Sequence, residues 1–74
     1  MPSQGLTSRE IQILDLVKLG YGQRRIGAEL GIKPQTVREH LQLIYAKLQA
    51  VNRVDAVIKA IRAGYLSLEE KDDD

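Results

Sequence analysis

The sequence predicts an all-α fold, a bundle of four short helices, and three observations predict it. Apolar residues recur three and four positions apart, and no stretch shows the strict alternation of a half-buried strand. Glycine and proline stand at the ends of these periodic runs, at Gly20, Gly22, Gly31, Pro34 and Gly64, and cut the chain into pieces of helix length. A chain of 74 residues makes one small domain that buries about 60% of its unfolded surface, too thin for a deep pocket and a poor fit to an ordinary enzyme.

Thr7-Ser8-Arg9-Glu10 opens the first helix as a capping box, in which the Thr7 hydroxyl and the Glu10 carboxylate each satisfy a backbone N–H left unpaired at a helix start. The helix runs to about Leu19, with Glu10, Ile13, Leu14, Val17 and Gly20 on one face and Gly20 as its stop. A short second helix extends from about Gln23 to Leu30, its apolar Ile26 and Leu30 four apart, and Gly31 ends it. Ile32 plugs the turn. Pro34 occupies the first position of the third helix, where a missing N–H would be unbonded anyway. In this helix, which continues to about Leu48, Val37, Leu41, Ile44 and Leu48 fall within about 60° of one another, while Gln35, Arg38, Glu39, Gln42 and Ala46 gather on the opposite side. One face packs and the other is free to touch something. After a break at Gln49 to Asn52, a fourth helix spans about Arg53 to Ala63, with Gly64 as its cap and Tyr65, Leu66 and Leu68 folding back on the bundle. Residues 1–5 are expected to be flexible, and 69–74, which hold no apolar residue, to form a disordered acidic tail.

The composition excludes several function classes. With no cysteine and one histidine, disulfide frameworks, thiol nucleophiles and Cys/His metal sites are ruled out by count, and no cofactor is implied. Ser3, Ser8, Ser67 and His40 offer no recognisable catalytic triad. The longest unbroken apolar run, Leu43 to Ala46, is far short of the roughly 18 residues of a membrane span, and the N-terminus lacks a signal peptide's basic start and apolar stretch, so the chain reads as cytosolic. Net charge is +1, but the sum hides a split: residues 1–68 carry ten Lys/Arg against five Asp/Glu, and 69–74 carry five acids against Lys71. A basic domain of charge about +5 with an acidic appendix points to a polyanionic partner.

The second helix, its tight turn and the third helix have the spacing of a helix-turn-helix. Gly27 lacks a side chain where the helices cross, Gly31 can adopt the left-handed conformation of a sharp turn, and Ile26, Leu30, Ile32 and Val37 form the wedge between them. Together with Leu6-Thr7-Ser8-Arg9-Glu10, Ile13 to Leu16, Gly20, Thr36-Val37-Arg38-Glu39-His40, Ile44 to Leu48, Asn52-Arg53, Ala56-Val57 and Ala60, the pattern over about residues 6 to 66 resembles the LuxR-type (GerE, NarL/FixJ) DNA-binding domain. The resemblance implies a tetra-helical bundle of the LuxR/GerE type. It also implies sequence-specific binding of double-stranded DNA in bacterial transcription regulation, with domain bounds of 6–68 here. Members activate or repress transcription, commonly as the C-terminal effector of a response regulator or autoinducer receptor and occasionally as free-standing proteins. The implied partners are a DNA operator, a second copy of the chain bound through the fourth helix, and RNA polymerase; no membrane and no small-molecule ligand is implied.

Carried over by position, the resemblance implies that Arg38, Glu39 and Gln42 face base edges in the major groove, and their chemistry suits it: Arg pairs with guanine, Gln with adenine, and Glu accepts from cytosine. It implies phosphate contacts at Thr36 and Lys47 and at the start of the second helix, around Gln23, where Arg24 and Arg25 add positive charge; Lys33 and Gln35 are further candidates. Three positions depart from the family. Lys33 replaces the usual capping Ser, Gly27 the usual Ala at about 1 kcal/mol of helix propensity, and Gln49 the usual Gly after Lys-Leu. In the fourth helix Val57, Ala60 and Gly64 follow the family's inward positions, while Val54, Ile58 and Ile61 form a second apolar stripe expected to join two copies into a dimer. The competing reading is a protein-interaction module whose basic face is incidental. Arg53 is expected to brace the junction of the third and fourth helices, and His40 to be a packing residue.

Overall fold

The computed structural model describes residues 5–68; Met1–Gln4 and the acidic tail Glu69–Asp74 expected to be disordered lie outside the described residues. Among the described residues all regular structure is helical: α1 (Ser8–Lys18), α2 (Gln23–Leu30), α3 (Pro34–Leu48) and α4 (Arg53–Arg62). These bounds differ from those read from the sequence by a residue at the ends of α1 and α4. No helix among the described residues is long and apolar enough to cross a membrane.

Thr7 and Glu10 close the capping box at the start of α1. The Glu10 backbone N–H donates to Thr7 Oγ1 at 3.1 Å, and the Thr7 N–H donates to Glu10 Oε1 at 2.8 Å. Gly20, at φ 92°, turns the chain out of the helix. α4 is capped in the same manner: Asn52 Oδ1 accepts from the Asp55 N–H at 2.8 Å, and Asp55 Oδ2 accepts from the Val51 N–H at 3.0 Å. The Val51 N–H and the Lys59 ammonium, 3.2 Å away, hold the Asp55 carboxyl below its ordinary value.

The α2–α3 crossing rests on Gly27. A Cβ built there would lie 2.5 Å from the carbonyl oxygen of Ile32 and 3.3 Å from the nitrogen of Pro34. The same approach lets the Ile32 N–H donate to the Gly27 carbonyl at 2.9 Å, with Gly31 at φ 72° making the bend. The propensity that glycine costs α2 is offset by a backbone approach so close that a Cβ at position 27 would force the turn to shift. α2 and α3 are the most extensively packed pair of helices, and α3 also contacts α1 and α4. The core gathers Ile13, Leu14 and Val17 of α1, Ile26 of α2, Val37, Leu41 and Ile44 of α3, Ala56 and Ala60 of α4, and Leu66. Leu30, Ile32 and Leu48 are packed against it and partly buried.

Two expectations are corrected here. α4 is buried through Ala56 and Ala60, with Val57 and Ile61 half-buried beside them, so Ala60 packs inward as expected, Val57 lies at the margin and Gly64 is exposed beyond the helix. Side chains as small as alanine let the α4 backbone approach the core closely, which apolar periodicity alone does not distinguish from valine-inward packing. Of the residues expected to fold back after α4, Leu66 is buried and Tyr65 half-buried, its hydroxyl accepting from the Leu6 N–H at 3.3 Å, but Leu68 is 77% exposed. The Lys18 ammonium donates to the Ser67 carbonyl, so the chain turns outward after that tie.

The exit of α3 differs from a glycine stop in one respect. Gln49 adopts φ 57°, the left-handed region, and is the only non-glycine described residue with positive φ. Ala50 N–H donates to the Tyr45 carbonyl at 2.8 Å, and Lys59 Nζ donates to the Gln49 carbonyl at 2.6 Å, so one backbone and one side-chain bond hold the strained geometry. Replacing Gln49 with Gly relieves a left-handed penalty of about 1–2 kcal/mol against about 0.5–1 kcal/mol of added chain entropy. Gln49→Gly is expected to raise the unfolding free energy by about 0.5–1 kcal/mol in urea titration, with an unchanged m-value.

Candidate nucleic-acid interface

The helix-turn-helix presents one continuous outer surface. Gln35, Arg38, Glu39, Gln42 and Ala46 of α3 are all exposed, opposite the buried Val37, Leu41 and Ile44. Arg24, Arg25 and Lys33 are exposed, while Gln23 and Thr36 are half-buried. Among the described residues the side chains of Arg24, Lys33, Arg38, Glu39 and Gln42 form no hydrogen bond or ion pair, so each is free to meet a ligand.

The helix starts divide into two kinds. α1 and α4 have side-chain caps, Thr7 and Asn52, and an acid in the first turn. α2 begins at Gly22 and α3 at Lys33; neither has a side-chain cap, and neither has an acid in its first turn. The first N–H groups of these two helices carry partial positive charge with no internal anion to meet it, and Arg24, Arg25 and Lys33 stand at the same places. Chemically this is a pair of adjacent anion-seeking helix ends beside a row of exposed polar side chains on α3.

Tyr21, in the turn between α1 and α2, organises two cations. The Arg25 guanidinium lies over the Tyr21 ring, 3.8 Å from its centroid, and donates to its hydroxyl at 3.1 Å. Arg53 donates from Nη1 to the Tyr21 carbonyl at 3.1 Å. Arg53 therefore braces α4 against the turn after α1, a structural role as expected but at a different junction. His40 is half-buried, and among the described residues no cluster of side chains could hold a metal ion.

Lys47, expected to contact phosphate, is paired with Glu10 in this structure. Its Nζ lies 2.8 and 3.1 Å from the two Glu10 carboxylate oxygens and 3.5 Å from the Gly5 carbonyl. Glu10 is 4% exposed. Burial pushes its carboxyl up, but the Lys47 hydrogen bond, the Thr7 N–H, the Lys47 charge and the Thr7 hydroxyl together outweigh burial and leave it below 4.5. A sequence signal for this pair existed: an acid on the buried stripe of α1 needs a cation. Periodicity alone did not show that Lys47 would supply it across 37 residues.

On the other side of the molecule Val54 is 65% exposed and Ile58 42% exposed, whereas Ile61 turns partly onto the core. Of the expected stripe, Val54 and Ile58 face outward and Ile61 is half-buried. Val54 and Ile58 line a shallow apolar groove with Val17, Lys18, Arg53 and Val57, between α1 and α4.

Residues 4–60 match the GerE family, described as bacterial regulatory proteins of the luxR family. The chain is similar to the transcriptional regulatory protein DesR of Bacillus subtilis (strain 168), 38% identical over 60 residues that cover 81% of this chain and 30% of that protein. It is also similar to the transcriptional regulatory protein DegU of Brevibacillus brevis, 36% identical over 67 residues covering 90% and 28%. The chain therefore spans less than a third of the length of these relatives. Among solved structures, the response regulator ChrA of a heme-sensing two-component system superposes with a TM-score of 0.84 at 38% identity, over 89% of this chain and 33% of that one. The transcription factor GerE superposes with a TM-score of 0.82 at 35% identity, over 92% of this chain and all of its own.

The Glu10–Lys47 pair has a pH signature. A carboxyl held lower in the folded state than in the unfolded state contributes stability that is fully present above the unfolded value near 4.5 and is lost as pH falls through the folded value. Wild-type stability is expected to drop across that acidic window, and Glu10→Gln to flatten the drop. Lys47→Met, which leaves the buried carboxylate without its cation, is expected to cost about 2 kcal/mol near neutral pH. Urea titrations of the three proteins between neutral pH and pH 3 measure both effects.

Proposed function

We propose, since this chain belongs to the luxR family of bacterial regulatory proteins and carries its DNA-binding helix-turn-helix, that it reads an operator with α3 lying in the major groove. The observation that carries this is the outer face of α3: a row of exposed, uncommitted polar side chains backed by a wholly apolar inner face. Arg38, Glu39 and Gln42 read base edges, as bidentate donor to guanine, acceptor from cytosine and partner of adenine respectively. Gln23, Arg24 and Arg25 at the start of α2, and Lys33, Gln35 and Thr36 at the start of α3, meet phosphates on either side of the groove. Lys47 stands apart from this set. It holds α3 to α1 through Glu10 and so fixes the angle at which the reading face is presented.

Two copies bind together. Val54 and Ile58, exposed on α4 beside the apolar groove, form the self-complementary patch of an isologous dimer that sets two α3 helices about one DNA turn apart. Bound at a promoter in this way, the chain comes within reach of RNA polymerase, its further partner in regulation.

Salt-dependent duplex binding tests the reading. Arg24→Ala is expected to weaken binding to all sequences alike and to reduce the slope of log affinity against log salt by about 0.9. Arg38→Ala is expected to cost about 1–3 kcal/mol on the selected operator and little elsewhere. Duplex affinity unmoved by either substitution would mean that the basic face is incidental. For the dimer, sedimentation on a duplex with two half-sites is expected to show two copies for the wild type and one for Ile58→Glu. A wild-type monomer both free and on that duplex sinks the α4 interface.

A further inference from the structure

One large exposed apolar side chain flanks the polar face of α3. Leu43 is 56% exposed and takes no part in the core. The other large apolar residues with comparable exposure, Leu19, Val51, Val54, Ile58 and Leu68, all lie outside α3. At about 100° per residue Leu43 sits about 40° around the helix from Glu39 and about 20° from Thr36, one and two turns toward the N-terminus, and it adjoins Gln42 in sequence. It therefore borders the base-reading set on its Glu39 side, about 100° from Gln42 and about 140° from Arg38. The exposed Ala46 three residues on is small enough to let the helix come close there.

From this juxtaposition, and resting on the DNA-binding reading above, we infer that Leu43 is a specificity-determining residue that packs against the 5-methyl group of a thymine in the operator. The major-groove edges of the four base pairs offer hydrogen-bond donors and acceptors and a single apolar group, the thymine methyl. A leucine pressed against guanine, cytosine or adenine edges, or against a phosphate, would strip water from polar atoms and return no hydrogen bond. Against a methyl it buries apolar surface on both sides. The side chain leans toward the helix N-terminus, so its methyl partner lies on a base pair beside the one read by Glu39.

The test uses the 74-residue chain and an operator selected from a random duplex pool. Each thymine of that operator is replaced in turn by deoxyuridine, which removes the methyl and leaves every hydrogen-bonding group, and affinities are read by fluorescence anisotropy for wild type, Leu43→Ala and Leu43→Asn. At one thymine per half-site the wild type is expected to lose about fourfold in affinity, the worth of one buried methyl group. Both variants are expected to lose no further affinity at that thymine. Leu43 is exposed, so both variants are expected to match the wild type in thermal melting, and a deoxyuridine effect that survives in a fully folded variant overturns the assignment. Wild-type indifference to every deoxyuridine also overturns it while leaving the DNA-binding reading in place. A pool that yields no operator at all overturns that reading first, and this inference with it. Should Leu43→Ala lower self-association and leave the thymine dependence intact, Leu43 belongs to a protein contact and the inference is wrong.

Discussion

A buried carboxylate sets the geometry of this domain. Glu10 sits in the first turn of α1 with almost no exposure, where an unpaired charge would cost several kcal/mol. It is tolerated because it caps its own helix through Thr7 and takes the ammonium of Lys47 from the last turn of α3. Those two roles pull in one direction: α1 starts where it does because Glu10 reaches back, and α3 ends against α1 because Lys47 reaches across. The other end of α3 is tied separately, by the backbone approach of Ile32 to Gly27. A helix clamped at both ends keeps its outer face at a fixed pitch, which a reading surface requires, since base recognition depends on placing donors and acceptors to within a fraction of an ångström.

The unequal treatment of the helix starts follows the same logic. A side-chain cap is worth roughly 1 kcal/mol, and the domain has one on α1 and on α4, the two helices that take no part in the turn motif. α2 and α3 go without, at Gly22 and at Lys33. Lys33 is the more telling of the two, because a cation at a helix start opposes the helix dipole and is locally unfavourable in the isolated domain. Pro34 presets the backbone and softens that cost. The arrangement becomes favourable once an external anion sits at the helix ends, so local stability is given up where binding restores it.

Much of this was legible in the residues. The capping box, the glycine turns at Gly20, Gly31 and Gly64, the need for glycine at position 27 and the two faces of α3 all follow from spacing and from backbone sterics, which act over a few residues. What periodicity missed acts over long separations or depends on side-chain size. The full burial of Ala56 beside Ala60 is a packing choice in which small residues win because they allow close approach, though valine and isoleucine carry the stronger hydrophobic signal. Lys47 looked like one more cation on a basic helix. Only the placement of α1 against α3 shows that a buried acid already claims it, and only the packing of α4 beside the α1–α2 turn gives Arg53 its bond to the Tyr21 carbonyl.

The pairings also change what the charge count means. A net charge of +1 gives little reason to expect a polyanion. Within the described residues, however, two of the acids are neutralised by lysines on the far side of the reading face, Glu10 by Lys47 and Asp55 by Lys59. These pairs take up lysine charge at the α1–α3 contact and along α4, and leave Arg24, Arg25, Lys33 and Arg38 unopposed by any salt bridge on the α2–α3 surface. Glu39 is the one acid of the outer face of α3, and the exposed cations of the α2–α3 surface offset the repulsion it would exert on an approaching polyanion. A near-neutral total is thus compatible with a strongly directional field, because the fold sorts its charges by face and only the facing charges act on a partner within a Debye length.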